Sequence, residues 1–285
     1  MNPANILFFN TVRSAYQDKF SVYKFLLTSL ITGCRTLYLV LFTLLIIYQI
    51  PASAQKKIET VNISDAIGNK YFDALEYLER NTWIYDTLVA SEIAPELAYS
   101  VVFPALTRYS SIKDIMETGA MRTLYVQSGR KYSRYSVGRF QMKPYFAEMV
   151  ERNLVRYKIK SQTFNMSNTP KARSERAKRI DTPEWQVRYL IFYIKIMDKR
   201  FSHLKWKNPQ DKVRFYATAF NVGFNKNERA IKYLMNKKSI IRKSKDFRSK
   251  LRDGDIAAWF FENDSHRFQS QISVLPKPTV EPVKE

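Results

Sequence analysis

Few side chains in this sequence are of a type that does chemistry. There are two histidines, His203 and His266, and one cysteine, Cys34, in 285 residues. The histidines lie far apart, and the lone cysteine sits in an apolar N-terminal stretch. Composition therefore argues against a thiolate or histidine metal centre, a histidine-dependent triad and any internal disulfide. Neither a metal nor a cofactor is expected. Chemistry is left to carboxylates, amides and aromatic rings, and three stretches gather these.

The first is Ser136-Val137-Gly138-Arg139-Phe140-Gln141-Met142-Lys143-Pro144. A glycine lets backbone approach a ligand ring, and a glutamine amide both donates to and accepts from hydroxyl or acetamido groups. Tyr132 and Tyr135 precede it and are suited to stacking. The second is Ala217-Thr218-Ala219-Phe220-Asn221-Val222-Gly223, where Asn221 and Gly223 suit the end of a helix and Phe220 offers a ring face. The third is Glu117, in Ile115-Met116-Glu117-Thr118-Gly119. With apolar neighbours it would hold a proton near neutral pH and serve as a general acid. A solvated surface glutamate is the competing expectation. Glu148 and Glu151 lie on an amphipathic pattern and are expected to face solvent.

These stretches need elements to position them. With 45% apolar residues, only seven glycines and eleven prolines, the chain reads as mainly α-helical. Ser64 is expected to cap a helix carrying Ile67, Tyr71, Ala74 and Leu75. Apolar-periodic segments follow at about 94–109 and 112–127. Pro144 opens a short helix through Phe146, Met149 and Val150. Between Tyr157 and Ile180 seven Lys and Arg residues crowd a stretch poor in apolar residues, which reads as a mobile basic loop. Thr182-Pro183 starts a helix with Trp185, Tyr189, Phe192 and Ile196 on one stripe and Leu190, Tyr193 and Met197 beside it, hence a buried helix. Asn208-Pro209 repeats the start signal for a helix through Val213, Tyr216, Ala217 and Phe220. A further basic segment spans 226–252.

In order and separation, the Gly138–Gln141–Pro144 segment, the helix with Arg188-Tyr189-Leu190 and the Phe220-Asn221-Val222-Gly223 segment resemble the lysozyme-like domain of lytic transglycosylases and goose-type lysozymes. The resemblance covers roughly Glu96 to Met235. It implies a lysozyme-like helical fold with basic loops. It also implies a saccharide groove walled by Gly138, Gln141, Met142, Tyr135, Phe220, Asn221 and Gly223, with peptidoglycan glycan strands as the partner. Phe220 stands where the family carries tyrosine. The family's acid, a glutamate at a helix end that needs no second carboxylate, aligns with Ala105 in Val102-Phe103-Pro104-Ala105-Leu106. Alanine transfers no proton. The resemblance thus implies either activity through Glu117 or an inactive member kept for binding. Arg108, Arg139 and Lys143 beside a carboxylate would weaken it as an acid.

At the N-terminus, the apolar run Leu37–Ile50 is followed by Pro51-Ala52-Ser53-Ala54, which reads as an export signal cleaved after Ala54. An uncleaved anchor across Phe25–Ile50 and lipidation at Cys34 are the competing readings, and all three put the domain outside the cytoplasm, in the periplasm or cell envelope. The expected organisation is residues 1–54 as signal or anchor, 55–93 as a helical leader, 94–265 as the main domain and 266–285 as a disordered proline-containing tail. Membrane contact is expected only through the N-terminal segment. The net charge of +21 calls for a polyanionic partner. Nucleic acid is disfavoured, because no recognised binding signature occurs and the export signal opposes it. A non-catalytic basic envelope scaffold, binding acidic polymers or partner proteins, is the alternative function.

Overall fold

The computed structural model describes residues 62–237 and 251–268. The expected signal or anchor with its Ala54 cleavage site, Cys34, the middle of the 226–252 segment and the tail beyond Phe268 all lie outside these residues. The described chain is a mainly α-helical domain of about 11 helices with no strands. No described helix is long and apolar enough to cross a membrane.

Three short helices come first: α1 (Ile63–Ile67), α2 (Asn69–Arg80) and α3 (Thr82–Ala90). Asn62, not Ser64, caps α1, its side-chain oxygen accepting from the Ser64 and Asp65 amides at 3.1 and 3.4 Å. The cap lies two residues earlier because Asn62 precedes the first helical residue, whereas Ser64 is already inside the helix. Gly68 at φ 67° then breaks the pattern between α1 and α2. Ile63, Leu75, Leu78, Ile84 and Leu88 enter the same buried core as the rest of the domain.

The central element is α4 (Pro95–Thr107), buried without a break from Ala98 to Thr107. Its sequence is apolar around the whole circumference, which only a helix surrounded by others tolerates. It packs on α9 (Pro209–Val222) and, past α10 (Glu228–Asn236) in the chain, on α11 (Asp253–Asn263). Phe103 stacks on Phe260 at 4.1 Å, and Tyr99 meets Phe268 edge-on at 4.9 Å. Phe268 is buried, so ordered packing extends past the expected start of the tail at 266.

The segment expected at 112–127 is α5 (Ser111–Ala120), a π-helical stretch (Met121–Tyr125) and a closing turn (Val126–Ser128). After a long turn, α6 (Pro144–Arg156) begins where proline can occupy the first helical position. α8 (Pro183–Arg200) and α9 open on Thr182-Pro183 and Asn208-Pro209 in the same manner, and Asn208 accepts from the Asp211 amide at 2.8 Å. Tyr189, Leu190, Tyr193, Ile196 and Met197 are fully buried, as periodicity predicts, whereas Trp185 and Phe192 on the same stripe are only partly buried.

The expected mobile loop at 157–180 is a correction. Its second half is α7 (Pro170–Ile180), capped by Thr169, whose hydroxyl accepts from the Ala172 amide at 3.3 Å. Arg173 and Arg176 are buried. Arg176 pairs with Glu151, and Arg173 donates to the Val126 and Gln127 carbonyls as well as to nearby Asn168, so a local count of charges could not find the pairing that buries them.

Candidate functional site

The Ser136–Pro144 segment is a tight turn pinned at many points. Val137 and Met142 form an isolated antiparallel bridge, with hydrogen bonds of 2.8 and 3.0 Å. Within it the Gln141 amide donates to the Gly138 carbonyl at 3.0 Å. From α5, Asp114 accepts from the Gly138 amide at 2.6 Å, and Glu117 accepts from the Ser136 amide. From α8, buried Gln186 accepts from the Phe140 amide at 2.9 Å and donates to the Val137 and Ile180 carbonyls at 3.1 and 2.7 Å. Arg139 turns outward and lies over the rings of Tyr109 and Tyr77, 4.0 and 4.8 Å from their centroids.

Gly138 is required for two reasons. Its φ is 71°, and a Cβ there would lie 1.6 Å from the Gln186 amide nitrogen. The backbone approach that glycine permits is thus to a buried glutamine, and Gly138 does not line the hollow described next. Gln141 also has positive φ, 52°, and its side-chain nitrogen donates to the Gly138 carbonyl at 2.9 Å. That leaves its side-chain oxygen as the group available to a ligand.

Gln141 and Asn221, eighty positions apart, line one hollow of about 170 Å³. Ala105, Met142, Phe140, Phe146 and Phe220 supply its apolar wall. Ser136, Arg108, Lys113 and Lys143 complete it. A larger hollow of about 570 Å³ shares Lys143, Phe146, Phe220 and Asn221 with the first. It runs on past Gly223, the helix-ending residue of α9 at φ 98°, to Arg130, Arg134 and Lys226. The two make one groove along the end of α9 and the start of α6, of a size that suits a small-molecule or short-polymer ligand.

No carboxylate lines either hollow. Glu117 is off the groove: one oxygen holds the Ser136 amide and the other faces Lys113 at 3.4 Å. Its neighbours Ile115 and Met116 are 73% and 70% exposed, so the apolar surroundings expected of an acid are lacking. On α5 the phase puts Lys113, Asp114 and Glu117 toward the turn and Ile112, Ile115 and Met116 toward solvent. Tyr135 is half-buried against the core and does not line the groove. Met142 is 1% exposed and forms floor. Among the described residues no group of His, Cys, Asp or Glu is arranged to hold a metal.

The groove's cations fall into two sets. Arg108, Lys113 and Arg130 each reach a carboxylate outside it: Asp253, Glu117 at 3.4 Å and Glu148 at 2.7 Å. Lys143, Arg134 and Lys226 have no side-chain partner among the described residues, and Lys143 lines both hollows. Of the groove cations, Lys113, Arg130, Arg134 and Lys226 were not legible as a set. They come from separate segments that only the fold gathers.

Behind α6 lies the opposite arrangement. Glu148 and Glu151, expected to face solvent, are 4% and 0% exposed. Arg176 donates twice to Glu151, at 2.8 and 2.6 Å, and Arg179 once at 3.0 Å. Tyr189 donates to Glu151 at 2.6 Å, and Tyr125 to Glu148 at 2.9 Å. Burial pushes the Tyr125 hydroxyl up to about 12, with the Arg176 charge pulling the other way. Burial opposes the Arg176 charge, yet hydrogen bonding and attraction to Glu151 hold its pKa above the ordinary value. A signal was present in the sequence: Ala147, Glu151 and Leu154 share one stripe of α6, so Glu151 lies within the apolar face.

No known protein family, characterised protein or solved structure matches this chain.

Proposed function

We propose that the described domain is a lysozyme-like, lytic-transglycosylase-like domain of the cell envelope that grips peptidoglycan glycan strands without cutting them. One observation carries the reading. Ala105, Gln141, Phe220 and Asn221 line a single hollow, and no carboxylate joins them. The resemblance assigns saccharide contact to the glutamine, the ring and the asparagine, and the acid's role to the position of Ala105. With a methyl group there, no proton reaches a glycosidic oxygen. Glu117 does not substitute, because it lies off the hollow with its two oxygens taken by the Ser136 amide and Lys113. The amides of Gln141 and Asn221 and the face of Phe220 remain as a binding surface for a sugar ring.

The test is to incubate the full chain with purified peptidoglycan and measure both co-sedimentation and soluble anhydro-muropeptides. Binding without product is expected, and Asn221→Ala should weaken it. Soluble product that disappears in Glu117→Gln would overturn the non-catalytic reading. Failure to co-sediment with any glycan would overturn the reading altogether and leave a scaffold for other acidic partners.

A further inference from the structure

We infer that the groove selects for an oxyanion carried on the sugar, seated in the hollow beside Ala105 and held by Lys143. The inference rests on the glycan-binding reading and names what distinguishes the preferred strand. Around the hollow stand Arg108, Lys113 and Lys143, with Ala105 where an acid would have balanced them. Two of these cations have carboxylate partners outside it, Asp253 and Glu117. Lys143 has none among the described residues, and it stands where the two hollows meet. Farther along, Arg134 and Lys226 are likewise unpartnered. Like charges converging on a partly desolvated hollow repel one another, and a ligand anion relieves that repulsion. A catalytic carboxylate in the same place would be stabilised in its ionised form and fail as an acid. The loss of the acid and the convergence of cations are therefore one design: the negative charge comes with the ligand. Two sugar-borne groups share this chemistry, a carboxylate on the ring ether and a phosphodiester along a glycopolymer.

The experiment compares binding of the full chain to four probes at low and moderate salt. These are a neutral chitooligosaccharide, peptide-stripped muramyl strands, a glycerol-phosphate glycopolymer and inorganic polyphosphate. One or both anionic glycans should bind about tenfold tighter than the neutral one, as one charge-assisted contact provides. The better of the two identifies the oxyanion. Lys143→Gln should remove that preference, lowering anionic-glycan binding about tenfold more than neutral-sugar binding. Arg134→Gln with Lys226→Gln should lower the salt dependence more than the preference. Ala105→Glu, which tethers a carboxylate in the hollow, should also abolish the preference. Equal affinity for neutral and anionic glycans, unaltered by Lys143→Gln, would overturn the anion site and leave the glycan reading standing. Polyphosphate binding as tightly as any glycan, with no binding of the neutral sugar, would overturn the glycan reading and leave a general anion groove.

Discussion

Two faces of one helix handle charge in opposite ways. Behind α6, Glu148 and Glu151 are buried and every oxygen meets an arginine or a tyrosine hydroxyl. On the front, Lys143 and the residues following it border a groove whose cations outnumber their partners. Arg130 joins the two, lining the groove while its Nε donates to Glu148 at 2.7 Å. The difference follows from desolvation. An ion removed from water must be paired within the chain or the fold does not form, whereas an ion at the edge of a groove keeps its water until a ligand replaces it. The rear cluster is therefore structural, and the front is where the molecule has charge to spend on a partner.

The largest effect should come from breaking the rear cluster. Glu151→Gln leaves Arg176, only 3% exposed, and Arg179 without their carboxylate. A loss of about 3–5 kcal/mol in denaturant-measured stability is expected. Replacing Glu151 and Arg176 together with leucine and methionine should cost less than the single change, since the two most deeply buried charges leave together and only Arg179, 13% exposed, loses its carboxylate. A single change costing under about 1 kcal/mol would mean that the cluster is wetter than its burial implies, and the contrast between the faces would fail.

The turn that links the faces comes next. Gly138→Ala puts a methyl group into the Gln186 amide and forces a side chain onto positive φ. It should cost about 3 kcal/mol and displace Gln141 from the groove, weakening glycan binding as well. Gly119→Ala is the control. Nothing lies within 4 Å of the added carbon on this helical residue, so stability should rise by about 0.5–1 kcal/mol. Equal effects at both glycines would sink the claim that Gln186 sets the turn.

Alkali offers a third probe of the rear face. The ordinary tyrosine value is 10.0, and burial raises that of Tyr125 to about 12. A raised folded-state value favours the protonated form, so its stabilisation is complete below pH 10 and is lost as pH climbs toward 12. Burial raises the Tyr189 and Tyr193 hydroxyls as well. Tyrosine ionisation followed by ultraviolet absorbance should thus lag behind that of the denatured chain and coincide with loss of helical circular dichroism. In Tyr125→Phe the decline should be shallower across that window.

What the sequence made legible divides along the same line. Helix starts at Pro144, Pro183 and Pro209 could be read because the signal is local, a proline at the first helical position. The burial of α8 followed from its periodicity. Gln141 and Asn221 share a hollow, a juxtaposition that composition and spacing alone do not dictate. The rear cluster is not legible by composition, which assigns charge to solvent; only a partner 25 residues away, as Arg176 is to Glu151, reverses that assignment. Spacing alone suits Gly138 to a ligand and does not reveal that its close neighbour is Gln186. The setting of Glu117 reads as apolar from Ile115 and Met116, yet adjacent positions on a helix point in different directions and those two face solvent.

The smallest effect on stability is the most telling for the front face. Lys143→Gln, Arg134→Gln and Lys226→Gln remove cations that no described side chain pairs. Each should change unfolding free energy by no more than about 0.5 kcal/mol. The sign should lean toward stabilisation, since the chain carries +21 and the groove cations repel one another. Raising the salt concentration should shrink even that gain, because screening already relieves exposed repulsion. A loss above about 1 kcal/mol from Lys143→Gln would mean that the fold itself uses this lysine. The groove would then be held together by its charge, as the rear face is, with none left over to receive an anion.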